Sequence, residues 1–289
     1  MTVDLEHLRQ WVGASEARDD CLAPFPATAM AATLDRDDPP FVDGSLLPPL
    51  WHWLYFLPVH KRGDSGHDGH AALGGFLPPV PLPRRMWAGG RLRFRAPLRI
   101  GQALRKTSTV MSVDHKAGRS GDLVFVTVRH QIHAGEALCL EEEHDIVYRA
   151  AADPAAPVAI GPQAPAESRF SRAVQPDPVL LFRYSALTFN GHRIHYDQPF
   201  CTGTEGYPGL VVHGPLLATL MTEVLCDNAP DLTLTDFDFR ALAPVFHTDA
   251  FSAHAHPEGD GRGWRLWIHK ADGTMAMSAT AQTSPKDRP

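Results

Sequence analysis

Cysteine is scarce in this 289-residue chain, and the four that occur, Cys21, Cys139, Cys201 and Cys226, form no CxxC pair. That excludes a zinc ribbon or a dithiol redox centre and leaves ordinary thiols, as expected in a reducing compartment. A basic surplus is also missing: 27 Lys and Arg against 33 Asp and Glu give a net charge of −6. Nucleic acid is therefore not an expected partner, because phosphate-binding surfaces carry a clear excess of cations. No apolar run approaches the roughly 20 residues needed to cross a bilayer, so no membrane association is expected. The most apolar window, Leu46 to Val59, contains prolines and a histidine and reads as core. The N-terminal MTVDLEHLRQWVG lacks the apolar stretch of a secretory signal, and a cytoplasmic protein is expected.

What is present is an ordinary globular composition, 44% apolar and 21% charged, in a length that suggests about two domains at roughly 150 residues each. The stretch AADPAAPVAIGPQAPAE, from Ala151 to Glu167, is rich in Ala and Pro, which disfavours helix and central strand alike. It divides the chain into an N-terminal domain over 1–150, a linker over 151–167 and a C-terminal domain over 168–289. In the first, RLRFRAPLRIGQALRKTSTVMSVDHK alternates basic and apolar residues, and two further β-rich runs follow around an Ala-Gly turn. Upstream, LPPLWHWLYFLP predicts a buried helix entered through Pro48 and Pro49. In the second domain PVLLFRYSALT, Pro178 to Thr188, reads as a strand, and Gly209 to Asn228 reads as a helix apolar on nearly every side, which has to be buried. Strand-like runs follow at LTDFDFRALAPVF, GWRLWIHKADG and TMAMSATAQT, the last two joined through the Asp272-Gly273 hairpin signal. The fold class predicted is α+β, a double hotdog: two antiparallel sheets, each wrapped round a long buried helix.

The chemistry concentrates in FRYSALTFNGHRIHYD, Phe182 to Asp197, and in YPGLVVHGPL, Tyr207 to Leu216. A strand running into a loop that gathers Asn190, His192, Arg193, His195, Tyr196 and Asp197 suits a site rim, because function collects on loops held by rigid elements. Gly214 is predicted as N-cap and Pro215 as the first helical residue. The N–H groups of that first turn, those of Gly214 and Leu216 among them, have no intrahelical partner and favour an anionic oxygen. Adding water across an α,β-unsaturated thioester passes through an enolate with its charge on the carbonyl oxygen, and preorganised donors there stabilise it. A histidine can take the proton from the attacking water.

Tyr184, Ser185, Leu187, Thr188 and His195 resemble the hydratase 2 motif of MaoC-like proteins, which runs aromatic, Ser, x, Leu, Thr, Gly, Asp, x, Asn, Pro, x, His. Asn190 stands at the motif's catalytic Asp, His192 at its Asn and His195 at its catalytic His. NGHRIHYD with PGLVVHGPL is similar to the type 2 hydroxyacyl-thioester dehydratases and to bacterial 3-methylfumaryl-CoA (mesaconyl-CoA) hydratases. The resemblance runs over Phe182 to Met221 and extends to residues 21–150 through LPPLWHWLYFLP and MWAGGRLRF. It implies a double hotdog whose N-terminal half is degenerate and shapes the substrate pocket, an acyl-CoA or carrier-protein thioester as substrate, no cofactor, and a homodimer. It further implies His195 and Asn190 as catalytic residues and Gly214, His192, Arg193 and Tyr184 as the oxyanion and substrate-binding set. An amide cannot act as a base, so Asn190 is left to hold the water, and the proton work falls to His195 alone.

Blander readings bear on several of these residues. Sixteen histidines occur, so His192 reads equally as pocket lining, and His213 as packing beside the helix start. HRIHYD puts His192, His195 and Asp197 on one loop without a fourth ligand, and no metal is expected. Arg84, Arg85, Arg91, Arg93 and Arg95 form the densest basic cluster; Arg91, Arg93 and Arg95 share one strand face, read as solvated, although one or two of the cluster could hold CoA phosphates. A dicarboxylic acyl chain would need a buried cation, for which Arg183 and Arg193 are the candidates. The expected activity is that of a hydro-lyase, hydrating an enoyl-CoA reversibly. A (3R)-hydroxyacyl-thioester dehydratase of fatty acid synthesis is the alternative within that chemistry. A hotdog thioesterase is disfavoured because VVHGPLLATL holds no acid and the nearest is Glu223, and an acyl-CoA sensor because no regulatory module is visible.

Overall fold

The computed structural model describes residues 3–118, 121–151, 158–259 and 261–286. The N-terminal half supplies β1 (Ser15–Cys21), β2 (Arg84–Phe94), β3 (Ala103–Gly118), β4 (Gly121–Ala134) and β5 (Ala137–Arg149), and the C-terminal half β6 (Phe170–Val174), β7 (Leu232–Ala241), β8 (Phe251–Glu258), β9 (Gly263–Lys270) and β10 (Met275–Pro285). These strands form one sheet in the order β1-β3-β4-β5-β2-β7-β10-β9-β8-β6. Within each half the order is first, third, fourth, fifth, second. The halves are topological copies, joined where their second strands pair antiparallel, Gly89 opposite Arg240 through Arg93 opposite Asp236. At that seam a Cβ on Gly89 would lie 2.5 Å from the Phe239 carbonyl oxygen, so glycine is what lets the two sheets close to pairing distance. Arg91 pairs with Glu143 and Asp145 at 2.7 and 2.6 Å, and Arg93 with Asp236 at 3.0 Å and with Asp238. These two arginines are therefore spent in cross-strand ion pairs on the half-exposed sheet face.

The helices are α1 (Leu5–Arg9), α2 (Pro24–Thr33), α3 (Pro178–Leu187), α4 (Gln198–Gly203) and α5 (Gly214–Asn228). α5 is the predicted central helix of the C-terminal half: Leu216 to Leu225 are buried without interruption, and the helix packs against β6, β7, β8 and β9. The N-terminal counterpart departs from expectation. Leu46 to Val59 forms only a four-residue 3-10 turn, Trp51–Leu54, flanked by Leu50 and Phe56, whose left-handed φ of 69° and 55° interrupt a right-handed helix on both sides. The turn still buries Trp51, His52 and Leu54, and the Trp51 indole N–H donates to Glu223 on α5.

Pro178 to Leu187 is a helix, α3, where a strand was expected. The Asp177 carboxylate accepts from the Leu180 N–H at 2.7 Å and Pro178 occupies the first turn, a cap-plus-proline start that a run of apolar residues conceals. β1, β6 and β8 were not anticipated. The linker expected over 151–167 lies in part on residues 152–157, outside the described residues; beyond them the chain is irregular, apart from a bridge between Gln163 and Thr274. Among the described residues no helix is long and apolar enough to cross a membrane.

Candidate active site

α3 ends by turning sharply into the histidine loop. The Asn190 N–H donates to the Ser185 carbonyl and the Phe189 N–H to that of Ala186, the two closing bonds of a Schellman cap. Phe189 sits at the left-handed position with φ of 50°, where the motif that this segment resembles has glycine. A phenylalanine there is strained, and the strain falls immediately before Asn190. The Asn190 Oδ1 accepts from the His192 N–H at 3.0 Å, so this side chain shapes the loop.

His195 is buried, and its Nδ1 lies 2.7 Å from the Val211 carbonyl. A carbonyl oxygen only accepts, so Nδ1 carries the hydrogen and Nε2 holds the free lone pair of a neutral ring. Burial pushes the ring down to about 4, which keeps it neutral at pH 7. His213 stacks on it at 3.7 Å between centroids and passes Nε2 to the Ser185 hydroxyl at 2.8 Å, while its own Nδ1 is buried without a partner. His192 meets His195 edge-on at 5.3 Å and is itself 4.0 Å from a fourth ring, His70.

His70 belongs to a loop of the N-terminal half that docks on the histidine loop. Its Nδ1 is 2.7 Å from the Asp68 carboxylate. Burial works to raise that carboxyl, yet the His70 hydrogen bond and charge hold it well below the usual carboxylate range. The Arg193 N–H donates to the Asp68 carbonyl at 2.9 Å, and the Arg193 guanidinium to the His67 carbonyl. Gly69 and Gly191 face each other so closely that a Cβ on Gly69 would stand 1.9 Å from the Gly191 oxygen. Four histidine rings thus run in a row, His213, His195, His192, His70, ending on Asp68. Asp68 and His70 went unnoticed in the sequence, although GHDGH is a compact titratable cluster. Asp68, His70 and His192 each bring one ligand atom within 4.8 Å of the others, a donor set for a cation, with the Asp68 carboxylate already engaged by His70.

The start of α5 lies at the other end of this row. His213, not Gly214, is the N-cap, and Gly214 is the first helical residue. The Leu217 N–H makes the first bond of the ladder, to the His213 carbonyl, so the Gly214 and Leu216 N–H groups precede it. A Cβ on Gly214 would meet only Met277 Cε, at 3.9 Å. Packing does not require glycine there, and the space it leaves is room for a ligand oxygen. Glu223, on the third turn of α5, accepts from Arg172 at 3.0 Å and from Trp51 at 3.3 Å and lies 3.4 Å from Arg36. Tied into that network, it is not placed to activate water at the helix start.

The other sequence candidates separate. Tyr184 is buried against His213 at 4.9 Å, and burial raises its hydroxyl. Arg193 bonds Asp197 at 2.8 Å and lies over the Phe200 ring at 4.1 Å, which makes it a strut of the loop. Arg183 is exposed on α3, beside a groove of about 360 Å³ between α2, β6 and α3 whose lining includes none of the four histidines.

The inner face of the N-terminal sheet is unusually polar. Glu142 is buried and accepts from the Trp53 indole at 3.1 Å, with His52 Nε2 3.0 Å away. Burial would raise it, yet the bond from His52 and the neighbouring imidazoles bring it down to about 2. Burial pushes His130 and His144 down to about 3 and 4 and lowers Lys106, whose ammonium lies 5.2 Å from the Phe56 ring centroid.

Comparison with known proteins gives the family and the fold. A family model described as hydroxyacyl-thioester dehydratase type 2 matches residues 50–247. The chain is 48% identical over 275 residues, 94% of its length and 96% of the relative's, to a mesaconyl-C4-CoA hydratase of Chloroflexus aurantiacus. It is 30% identical over 225 residues, 69% of its length and 74% of the relative's, to a mitochondrial hydroxyacyl-thioester dehydratase type 2 of Schizosaccharomyces pombe. Among solved structures, HtdX of Mycobacterium tuberculosis superposes with a TM-score of 0.66 at 18% identity, covering 92% of this chain and 98% of that one. A MaoC-like dehydratase of Phytophthora capsici gives 0.67 at 11% identity, covering 98% and 99%. A further M. tuberculosis protein, described as a double hotdog, gives 0.58 at 16% identity, covering 94% and 96%. These likenesses establish the double hotdog.

Proposed function

Because the chain belongs to the hydroxyacyl-thioester dehydratase type 2 family, whose members are hydro-lyases of acyl thioesters, we propose that it hydrates a mesaconyl-C4-CoA-like substrate reversibly. Such a substrate is a short, branched enoyl thioester whose β-carbon carries a methyl group and a free carboxylate. The observation that carries the chemistry is the His195 ring, fixed by Val211 with its Nε2 lone pair free beside the start of α5. Nε2 takes a proton from water as the water oxygen bonds to the β-carbon. The π electrons move to the thioester oxygen, which the Gly214 N–H and the helix start stabilise. Collapse of the enolate takes the proton from His195 onto the α-carbon, and the reverse sequence is dehydration. The Asn190 amide orients the water, while His192 and the Asp68-bound His70 form the wall facing it.

The polar inner face around Glu142, His130, His144 and Lys106 favours a short polar acyl chain over a fatty one, since apolar methylenes gain nothing from such a wall. The unpaired thiols accord with a cytoplasmic site of action, and a homodimer is part of the same reading. The test is loss of the conjugated thioester absorbance with mesaconyl-C4-CoA, crotonyl-CoA and longer enoyl-CoAs, with thiol release followed in parallel. Hydration of mesaconyl-C4-CoA without thiol release is expected, and His195→Ala should lower it on the order of 100-fold to 10,000-fold. Thiol release with conjugation retained would move the assignment to a thioesterase.

A further inference from the structure

The reaction proposed above needs a partner for the free carboxylate of the acyl chain, a few ångströms from the attacking water. Neither arginine expected from the sequence is available for it: Arg193 is bound to Asp197 and the His67 carbonyl, and Arg183 is exposed by a groove without the histidines. Arg85 on β2 is differently placed. Successive strand residues point to opposite faces, and Arg84 is turned toward the C-terminal half, ion-paired to Glu205 at 2.9 Å and set over Tyr207. Arg85 takes the other face, directly across the ladder from Tyr148. That face also carries Trp87, packed on His144 at 3.9 Å.

Two features mark this spot as incomplete. Tyr148 is fully buried, the Arg85 guanidinium lies beside its hydroxyl, and its Oη meets no partner at hydrogen-bond geometry. No carboxylate is ion-paired with Arg85 among the described residues. Its charge acts instead on imidazoles, lowering His70 and His192 of the candidate site and His144 of the inner face. A half-buried cation beside a buried unpaired hydroxyl is poorly satisfied by the protein alone. A carboxylate satisfies both, accepting two guanidinium N–H bonds and the phenol O–H. The position within electrostatic reach of His70 and His192 suits a carboxylate borne on the β-carbon.

We propose that Arg85, with the Tyr148 hydroxyl beside it, binds the free carboxylate of the acyl chain and so selects dicarboxylic monothioesters over plain enoyl thioesters. The inference rests on the substrate reading above. The experiment measures kcat/KM for mesaconyl-C4-CoA and for crotonyl-CoA in the full-length protein and in Arg85→Met, Arg85→Lys and Tyr148→Phe. The mesaconyl-to-crotonyl ratio should fall on the order of 100-fold to 1,000-fold in Arg85→Met, as for truncating one partner of a buried charge pair. It should fall less in Arg85→Lys, which keeps the charge, and in Tyr148→Phe, which removes one donor. Should Arg85→Met fail to fold, the other two variants decide. An unchanged ratio in the variants, or equal losses on both substrates, overturns the role of Arg85. A parent protein that hydrates crotonyl-CoA but not mesaconyl-C4-CoA overturns the substrate reading instead, so the two failures are distinguishable.

Discussion

Lowering the pH from 7 to 5 should unfold this protein's stability reserve before it titrates the catalytic ring. His130, His144, His192 and His195 are each pushed down by burial, to about 3, 4, 2 and 4. The same residues in an unfolded chain take up protons near pH 6.5. The folded values are depressed, so the stability contribution is complete above about 6.5 and is lost as pH falls toward the folded values. At pH 5 the folded rings are still neutral while the unfolded ones are charged, which costs about 2 kcal/mol per histidine relative to pH 7. Four such residues make about 8 kcal/mol, within the roughly 5 to 15 kcal/mol by which domains are stable at all. Urea unfolding followed by tryptophan fluorescence should show the midpoint falling by about 2 to 3 M between pH 7 and 5, taking a slope of about 3 kcal/mol per M. His144→Phe should remove one proton from that dependence. A midpoint that stays within about 0.3 M over this range would refute the reasoning, since it would mean that the rings are charged or solvated in the folded state.

Gly214→Ala should fold normally, whereas Gly214→Val should fold but lose roughly 100-fold to 1,000-fold in turnover if the acyl oxygen sits at the α5 start; near-normal turnover would place that oxygen elsewhere. Asn190→Asp keeps an acceptor for the His192 N–H and adds a negative charge, which favours imidazolium, so the acidic limb of the hydration profile should move upward; an unmoved limb would mean that the residue at 190 does not face the proton carrier. Residues 166–289 expressed alone should be insoluble or inactive, because β7 loses its partner β2 and the histidine loop loses Asp68 and His70; a soluble fragment of full activity would place the whole site in the C-terminal half.

The legible part of this molecule was the part written in contiguous residues. α5 could be found because every one of its faces is apolar, and the Asp272-Gly273 turn because its chemistry is local. NGHRIH gave His195 for the same reason. The concealed part depends on contacts between distant segments. Asp68 and His70 lie more than a hundred residues from the loop they complete, and contacts between the two segments bring them together: the opposed glycines at 69 and 191 and the Arg193 N–H on the Asp68 carbonyl. α3 was misread because a continuous apolar run of about ten residues fits strand or helix equally, and only the Asp177 cap decides. The arginines of β2 look alike in sequence, yet Arg91 and Arg93 find carboxylates across the sheet and, among the described residues, Arg85 does not.

The strand order repeated in the two halves has a consequence for how such a protein can change over generations. In a pair of identical chains, every substitution is made twice, so neither copy can abandon its central helix without the other losing it too. Joined in one chain, the copies can differ, and here one holds the long buried helix α5 while the other has a four-residue turn and buried polar groups on its inner face. Beside the β2–β7 pairing, the halves meet at the two glycines at 69 and 191, where a Cβ on either would crowd the other's carbonyl oxygen and push the two parts of the candidate site out of register.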